Sequence, residues 1–175
     1  MKNSACKGYG NISLKLLKYC SAEFSDVISH LVNESFQCGL FPEMAKTAKV
    51  VPIFKNGDPK LLTNYRPISI LTNFSKFFEK AAFTRVSDYL DKFTIIHQNQ
   101  YGFRKKFSTY MALLKLVDEI GKSIDDGMIT AGIFLDLAKA FDTIDHNILL
   151  CKLSRYGIRG IANDWFCSYL SKRSQ

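Results

Sequence analysis

The sequence predicts a mixed α+β domain, and three features point to it. Several long segments repeat apolar residues at helical spacing, two short β-rich runs flank a polar turn, and residues 129–137 form an apolar run bounded by turn residues. The 175 residues are 47% hydrophobic and 23% charged, enough to bury a core and to exclude a wholly disordered chain.

Taken in order, Phe24, Val27, Ile28, Leu31, Val32 and Phe36 fall on one helical face, and Gly39 is a natural stop. Pro42 can open a short helical turn. Val50 to Phe54 and Tyr65 to Ile70 read as strands joined by a polar loop, residues 55–60, with turn chemistry of its own. Pro52 and Pro67 put at least one of these strands at a sheet edge. Asn73 is expected to cap a long helix whose apolar face runs from Phe74 through Phe78 and Ala82 to Phe93. Residues 98–107 read as irregular. A helix beginning near Thr109 is expected to bury Leu113, Leu116, Val117, Ile120 and Ile124 and to end at Gly127. Residues 129–137 then read as a buried strand. Two more helices follow, one with Ile148, Leu149 and Leu153 that stops at Gly157, the other with Ala162, Trp165, Phe166, Tyr169 and Leu170 as packing residues. No repeat or linker interrupts the chain. Lys172 to Gln175 offers neither a capping signal nor a closing strand, so the sequence reads as cut from a larger domain.

Composition narrows the function classes. No run approaches the roughly 18–20 apolar residues that cross a bilayer, so no membrane partner is expected. The N-terminal stretch breaks each apolar run with Lys or Gly and is no signal peptide. The five cysteines are widely spaced and form no CxxC, and the three histidines add no metal-ligand spacing. A zinc module and a disulfide scaffold are therefore not expected. The expected location is intracellular, nuclear or cytoplasmic and not secreted, with no obligate protein partner evident. The net charge of +8 is concentrated in two stretches. Lys46, Lys49, Lys55, Lys60 and Arg66 stand against Asp58 alone, and Arg104, Lys105, Lys106 and Lys115 stand in a stretch without an acid. Such stretches fit a polyanion partner, the alternative being a solvated basic surface.

The sharpest local feature is GIFLDLAKAFD, residues 132–142. An Asp at the end of a buried strand is costly unless it is paired or holds a cation. A P-loop NTPase would need a GxxxxGK[ST] loop; Gly121-Lys122-Ser123 lacks its leading glycine, with Leu116 in that place. An aspartyl-nucleophile phosphatase needs a second Asp two residues on, where Ala138 stands. A polymerase palm wants a metal-binding Asp and, five residues later, an aromatic wall for the sugar pocket, which Asp136 and Phe141 supply. A plain turn-capping Asp remains the structural alternative.

Three blocks in fixed order carry a family resemblance: AKVVPIFKNGDPKLLTNYRPISIL (48–71), HQNQYGFRKKFST (97–109) and GIFLDLAKAFDTIDHNILLCKL (132–153), trailed by YGIRGIANDWFCSYLSKRSQ. The chain resembles the reverse transcriptase of non-LTR (LINE-like) retrotransposons, especially the jockey and chicken-repeat-like groups. The likeness persists more weakly in GYGNISLKLLKY, where the family more often has Asp at the place of Gly10. The resemblance implies a right-hand polymerase: residues 1–128 as fingers with upstream helices, residues 129–175 as the first part of the palm, and no thumb. The family's PQG-type segment and YADD hairpin do not occur in the sequence.

The implied roles follow block by block. Asp136 is the catalytic, metal-binding carboxylate, with the backbone carbonyl of Leu137 as companion ligand. In-line phosphoryl transfer uses two Mg²⁺ ions roughly 3.5–4 Å apart, so further carboxylates are needed. Asp142 and Asp145 read as structural, capping the next helix, with direct metal contact the alternative for Asp142. Arg66, Lys55 and Lys60 bind the incoming triphosphate, since forked and mobile cations suit phosphate; a structural ion pair is the alternative for Arg66. Lys139, Ala140 and Phe141 complete the nucleotide pocket. Gln100, Gly102, Arg104 and Lys105 line the template or nucleotide path, whereas Tyr101 and Phe103 read as core. The implied partners are an RNA template, a DNA primer and deoxynucleoside triphosphates. The other function class weighed is a non-catalytic nucleic-acid-binding remnant of a truncated element.

Overall fold

A computed structural model of the chain describes residues 12, 14–137 and 139–175. The chain divides into two compact units: Met1–Val86 with Asp145–Gln175, and Ser87–Ile144. Helices α1 (Leu14–Tyr19), α2 (Ser21–Cys38), α3 (Ser75–Lys92), α4 (Thr109–Asp125), α5 (His146–Arg155) and α6 (Ile161–Leu170) accompany one antiparallel hairpin, β1 (Ala48–Phe54) and β2 (Tyr65–Leu71). Part of the GYGNISLKLLKY segment, and Cys6, lie outside the described residues.

The first unit is built on an aromatic core. Val32, Phe41, Ala45, Phe78, Ala82 and Trp165 are buried together, with Ile28, Phe36, Phe77, Ala81, Phe166 and Tyr169 packed against them. Ile28, Val32 and Phe36 recur at i+4 on α2, so one stripe of that helix meets this cluster. Phe24 begins the same stripe but is exposed, as are Val27 and Leu31 beside it. The apolar face expected of α2 is therefore covered only in part.

Several polar groups inside the unit find partners, as burial favours, whereas Asn163 Oδ1 is buried without one among the described residues. The Trp165 indole N–H donates to Ser35 Oγ (2.9 Å), and Ser35 Oγ donates to the Leu40 carbonyl. The Phe41 N–H donates to Ser168 Oγ (3.0 Å), and Tyr169 Oη donates to Glu79 Oε1 (3.0 Å). Gly39 ends α2 in the left-handed region (φ 67°), and a Cβ there would lie 3.1 Å from the Ile161 carbonyl oxygen. Both the turn and the close approach of α6 require glycine.

The hairpin pairs Ala48↔Leu71 through Phe54↔Tyr65, with Pro52 facing Pro67. The Lys55 N–H donates to the Asn64 carbonyl just beyond the last pair, which makes Pro52↔Pro67 a non-hydrogen-bonded position. Neither proline removes a ladder bond. The chain's last residues are engaged with the hairpin. Ala48 N–H donates to the Ser174 carbonyl (2.9 Å), Thr47 and Ser174 form an isolated parallel bridge, and Gln175 Nε2 donates to Ser69 Oγ (3.2 Å).

Helix starts differ in detail from the sequence reading. Asn73 does not cap α3; it is buried, its Nδ2 donating to the Ile12 carbonyl and its Oδ1 accepting from Lys76 Nζ, while Thr72 Oγ1 accepts from Ser75 N–H. Asp145 does cap α5, accepting from the N–H groups of Asn147 and Ile148. Ser108 caps α4 through the Met111 N–H.

The second unit is open. No residue of α4 is buried, and Leu113, Leu116, Val117 and Ile124 are all exposed. Residues 129–137 form no strand, with Ile129 99% and Leu135 89% exposed. Both corrections have one cause. Periodicity and apolarity give a segment its preference, but burial needs a partner surface. Among the described residues the one sheet is β1–β2, and it offers residues 129–137 no pairing. No described helix is long and apolar enough to cross a membrane.

Candidate active site

In the first unit the hairpin carries Arg66, Lys55 and Lys60, all exposed. Arg66 sits opposite Ile53 in the register and shares a sheet face with Val51 and Ile68. No salt bridge to Arg66 occurs among the described residues, so its guanidinium is available for an anion. Lys55 and Lys60 stand at the start and middle of the connecting loop.

In the second unit the 97–107 loop is folded around Arg104. Its Nη1 donates to the carbonyls of His97 and Gln100, each at 3.4 Å, and its guanidinium lies 4.1 Å from the Phe107 ring centroid. Half-buried Arg104 therefore organises the loop, while Lys105 and Lys106 stand exposed beside it. Gln100 Nε2 donates to the Gly102 carbonyl (3.2 Å). Phe103 takes φ 61° and is 90% exposed, which overturns its reading as core. Tyr101 is half-buried and meets Phe107 edge-on.

Also in this unit, Asp136, Leu137, Lys139, Ala140 and Phe141 are exposed on an irregular segment. A tight turn follows, in which the Lys139 carbonyl accepts from the N–H groups of Asp142 and Thr143. The Phe141 ring meets Phe103 edge-on at 6.1 Å, so the QYGFR loop and the Asp136 block touch through these two rings. Sequence reasoning missed that contact, since residues 38 positions apart leave no local pattern.

Asp136 and the Leu137 carbonyl offer hard oxygen donors of the kind Mg²⁺ takes. Among the described residues no three His, Cys, Asp or Glu side chains converge on a metal position. The donors fit a contribution to a metal site. They do not amount to a complete one.

Residues 53–175 match the family described as "Reverse transcriptase (RNA-dependent DNA polymerase)". The chain is 29% identical over 149 residues to a probable RNA-directed DNA polymerase from transposon BS of Drosophila melanogaster, covering 85% of this chain and 16% of that protein. It is 30% identical over 146 residues to the RNA-directed DNA polymerase from mobile element jockey of the same organism, covering 83% and 16%. A probable RNA-directed DNA polymerase from transposon X-element of that fly is 29% identical over 154 residues, covering 87% and 17%. The chain thus spans about a sixth of the length of the curated relatives it matches. With Lys55, Lys60 and Arg66, the QYGFR loop and the Asp136 block all inside the matched span, the chain belongs to the reverse transcriptase (RNA-dependent DNA polymerase) family.

Proposed function

We propose that this chain forms the fingers (residues 1–128, with their upstream helices) and the first part of the palm (residues 129–175) of an intracellular RNA-directed DNA polymerase of a non-LTR retrotransposon. The observation that carries the reading is the family match over residues 53–175, which takes in the first block from Ile53 onward and the other two blocks entire, in order. In this reading Arg66, Lys55 and Lys60 hold the triphosphate of an incoming deoxynucleotide, and Lys139, Ala140 and Phe141 shape its pocket. Gln100, Gly102, Arg104 and Lys105 border the path of the RNA template and DNA primer. Asp136 and the Leu137 carbonyl hold Mg²⁺, which supplies charge stabilisation at the transferring phosphoryl group when bound. Asp136 alone does not provide for two ions, so this chain by itself is proposed to bind nucleic acid without polymerising.

Filter binding of poly(rA)/oligo(dT) by the chain across a salt series tests the reading. Log K is expected to fall linearly with log salt, each phosphate contact contributing roughly 0.7–0.9 to the slope. Exposed Lys105 and Lys106 should together account for about 1.4–1.8 of it, read from the double alanine variant. An unchanged slope removes that stretch from the binding face. Absence of binding at low salt counts against the nucleic-acid reading itself.

A further inference from the structure

The loop that carries Lys60 is braced from its far end. The Asp58 carboxylate accepts from the Lys60 N–H (2.9 Å), and the Asp58 carbonyl accepts from the Leu61 N–H (3.2 Å). That same carbonyl takes a second bond, 2.9 Å long, from the side-chain amide of Asn64. The Asn64 backbone carbonyl accepts from the Lys55 N–H at 2.8 Å and closes the mouth of the loop. Tyr65 Oη donates to the Pro59 carbonyl (2.9 Å), and the Tyr65 ring rests on Phe54 with centroids 5.4 Å apart.

Gly57 makes room for this brace. Its φ is +91°, and a Cβ built there would lie 2.7 Å from Asn64 Nδ2. A methyl group at position 57 and the Asn64 amide cannot occupy their places together. The loop thus has an interior, and the Asn64 amide fills it.

An unbraced loop of this length spreads over many backbone states. The apparent affinity of any ligand that its lysines hold then falls by the fraction of time the loop spends in the competent shape. We propose that Asn64 is a positioning residue: its side-chain amide holds loop 55–64 in the shape from which Lys60 meets nucleotide phosphate. The proposal rests on the reading of this hairpin as a triphosphate-binding element. Asn64 acts through Lys60 and touches no substrate itself.

The test uses the full chain with Asn64→Ala, Gly57→Ala, Lys60→Ala and the Asn64→Ala/Lys60→Ala pair. Cleavage after Lys60 by a lysine-specific protease, followed by mass spectrometry, reads loop opening. Trp165 fluorescence on urea unfolding reads whether the first unit is intact. Equilibrium dialysis with Mg-dTTP reads nucleotide affinity. Asn64→Ala and Gly57→Ala should each speed cleavage roughly two- to tenfold, the worth of one hydrogen bond, while Trp165 still reports one cooperative unfolding transition with an unchanged slope. Asn64→Ala should weaken dTTP binding, and the pair should bind no more weakly than Lys60→Ala alone. Unchanged cleavage in both single variants, or losses that multiply in the pair, would overturn the proposal. Faster cleavage in a chain whose unsubstituted form binds no dTTP would keep the brace but overturn the nucleotide reading on which the proposal rests.

Discussion

Phe41→Ala removes the centre of the first unit. Phe41 is 2% exposed, and its ring centroid lies 5.0 Å from Tyr169, 5.5 Å from Trp165 and 5.7 Å from Phe78, edge-on to each. Such contacts set the positive edge of one ring against the negative face of another and add to plain burial. Truncating a buried Phe to Ala costs about 3–5 kcal/mol, the larger values arising where neighbours cannot collapse into the cavity. Here the neighbours are fixed. Trp165 is tied to Ser35, Tyr169 to Glu79, and the Phe41 backbone itself to Ser168. The upper half of that range, about 4–5 kcal/mol, is therefore expected. Against a total of about 5–15 kcal/mol for an ordinary domain, that is a large fraction. Trp165 is the only tryptophan, is 3% exposed and belongs to the same cluster, so its fluorescence follows this unit alone. Urea titration should show a lower midpoint with an unchanged slope. A loss below about 1 kcal/mol would refute the account of the core.

Two further outcomes follow from individual side chains. Burial, with Glu79 adding to it and Arg173 opposing it, pushes the Tyr169 phenol from the usual 10.0 up to about 12. The unfolded chain releases that proton first, so the unfolding free energy is pH-independent from this group below 10.0, where its contribution is intact, and should fall as pH rises from 10.0 to about 12. Tyr169→Phe should flatten that part of the profile in urea titrations, and an equal slope in both proteins would contradict the assignment. Phe141 is 75% exposed, so Phe141→Ala should change the stability of this chain by no more than about 0.5 kcal/mol. In a jockey-type polymerase carrying residues 53–175 of this chain, the same substitution should raise the kcat/KM of ribonucleotides relative to deoxynucleotides, because a ring beside the sugar rejects a 2′-hydroxyl by clash; an unchanged ratio would sink the gate.

Local chemistry was legible in the sequence wherever one segment sufficed to decide it. Gly39 and Gly157 lie in the left-handed region just past their helices, Pro42 precedes a 3-10 turn, and Asp145 caps α5. The hairpin was legible too, with its turn residues and its prolines at positions that remove no ladder bond. Trp165 and Phe166 pack in the core as their spacing on α6 implied. What failed was burial at a distance. The periodicity of α4 gave a helix but no cover for Leu113 or Val117, and apolarity gave residues 129–137 no strand partner. Asn73 went astray because its amide reaches back to Ile12, a contact 61 positions away. At the candidate site, the order of the blocks and the exposure of the lysines could be foreseen. The self-bonding of Arg104, the Phe103–Phe141 contact and the Asn64 brace arise from folding of the loops on themselves. Residue types alone do not specify them.

The central claim is that Asp136 is the metal-binding carboxylate of a reverse transcriptase. It is tested most directly by RNA-templated DNA synthesis with the graft of residues 53–175 into a jockey-type polymerase, with and without Asp136→Asn. Loss of a residue that merely supports a metal ligand costs about 10–100-fold, so loss of the ligand itself should cost more than about 100-fold. Asp136 is exposed in this chain, so the substitution should leave folding intact. The account predicts Mg²⁺-dependent extension of oligo(dT) on poly(rA) by the unsubstituted graft and its loss on Asp136→Asn. Extension within about twofold of the unsubstituted rate would contradict it.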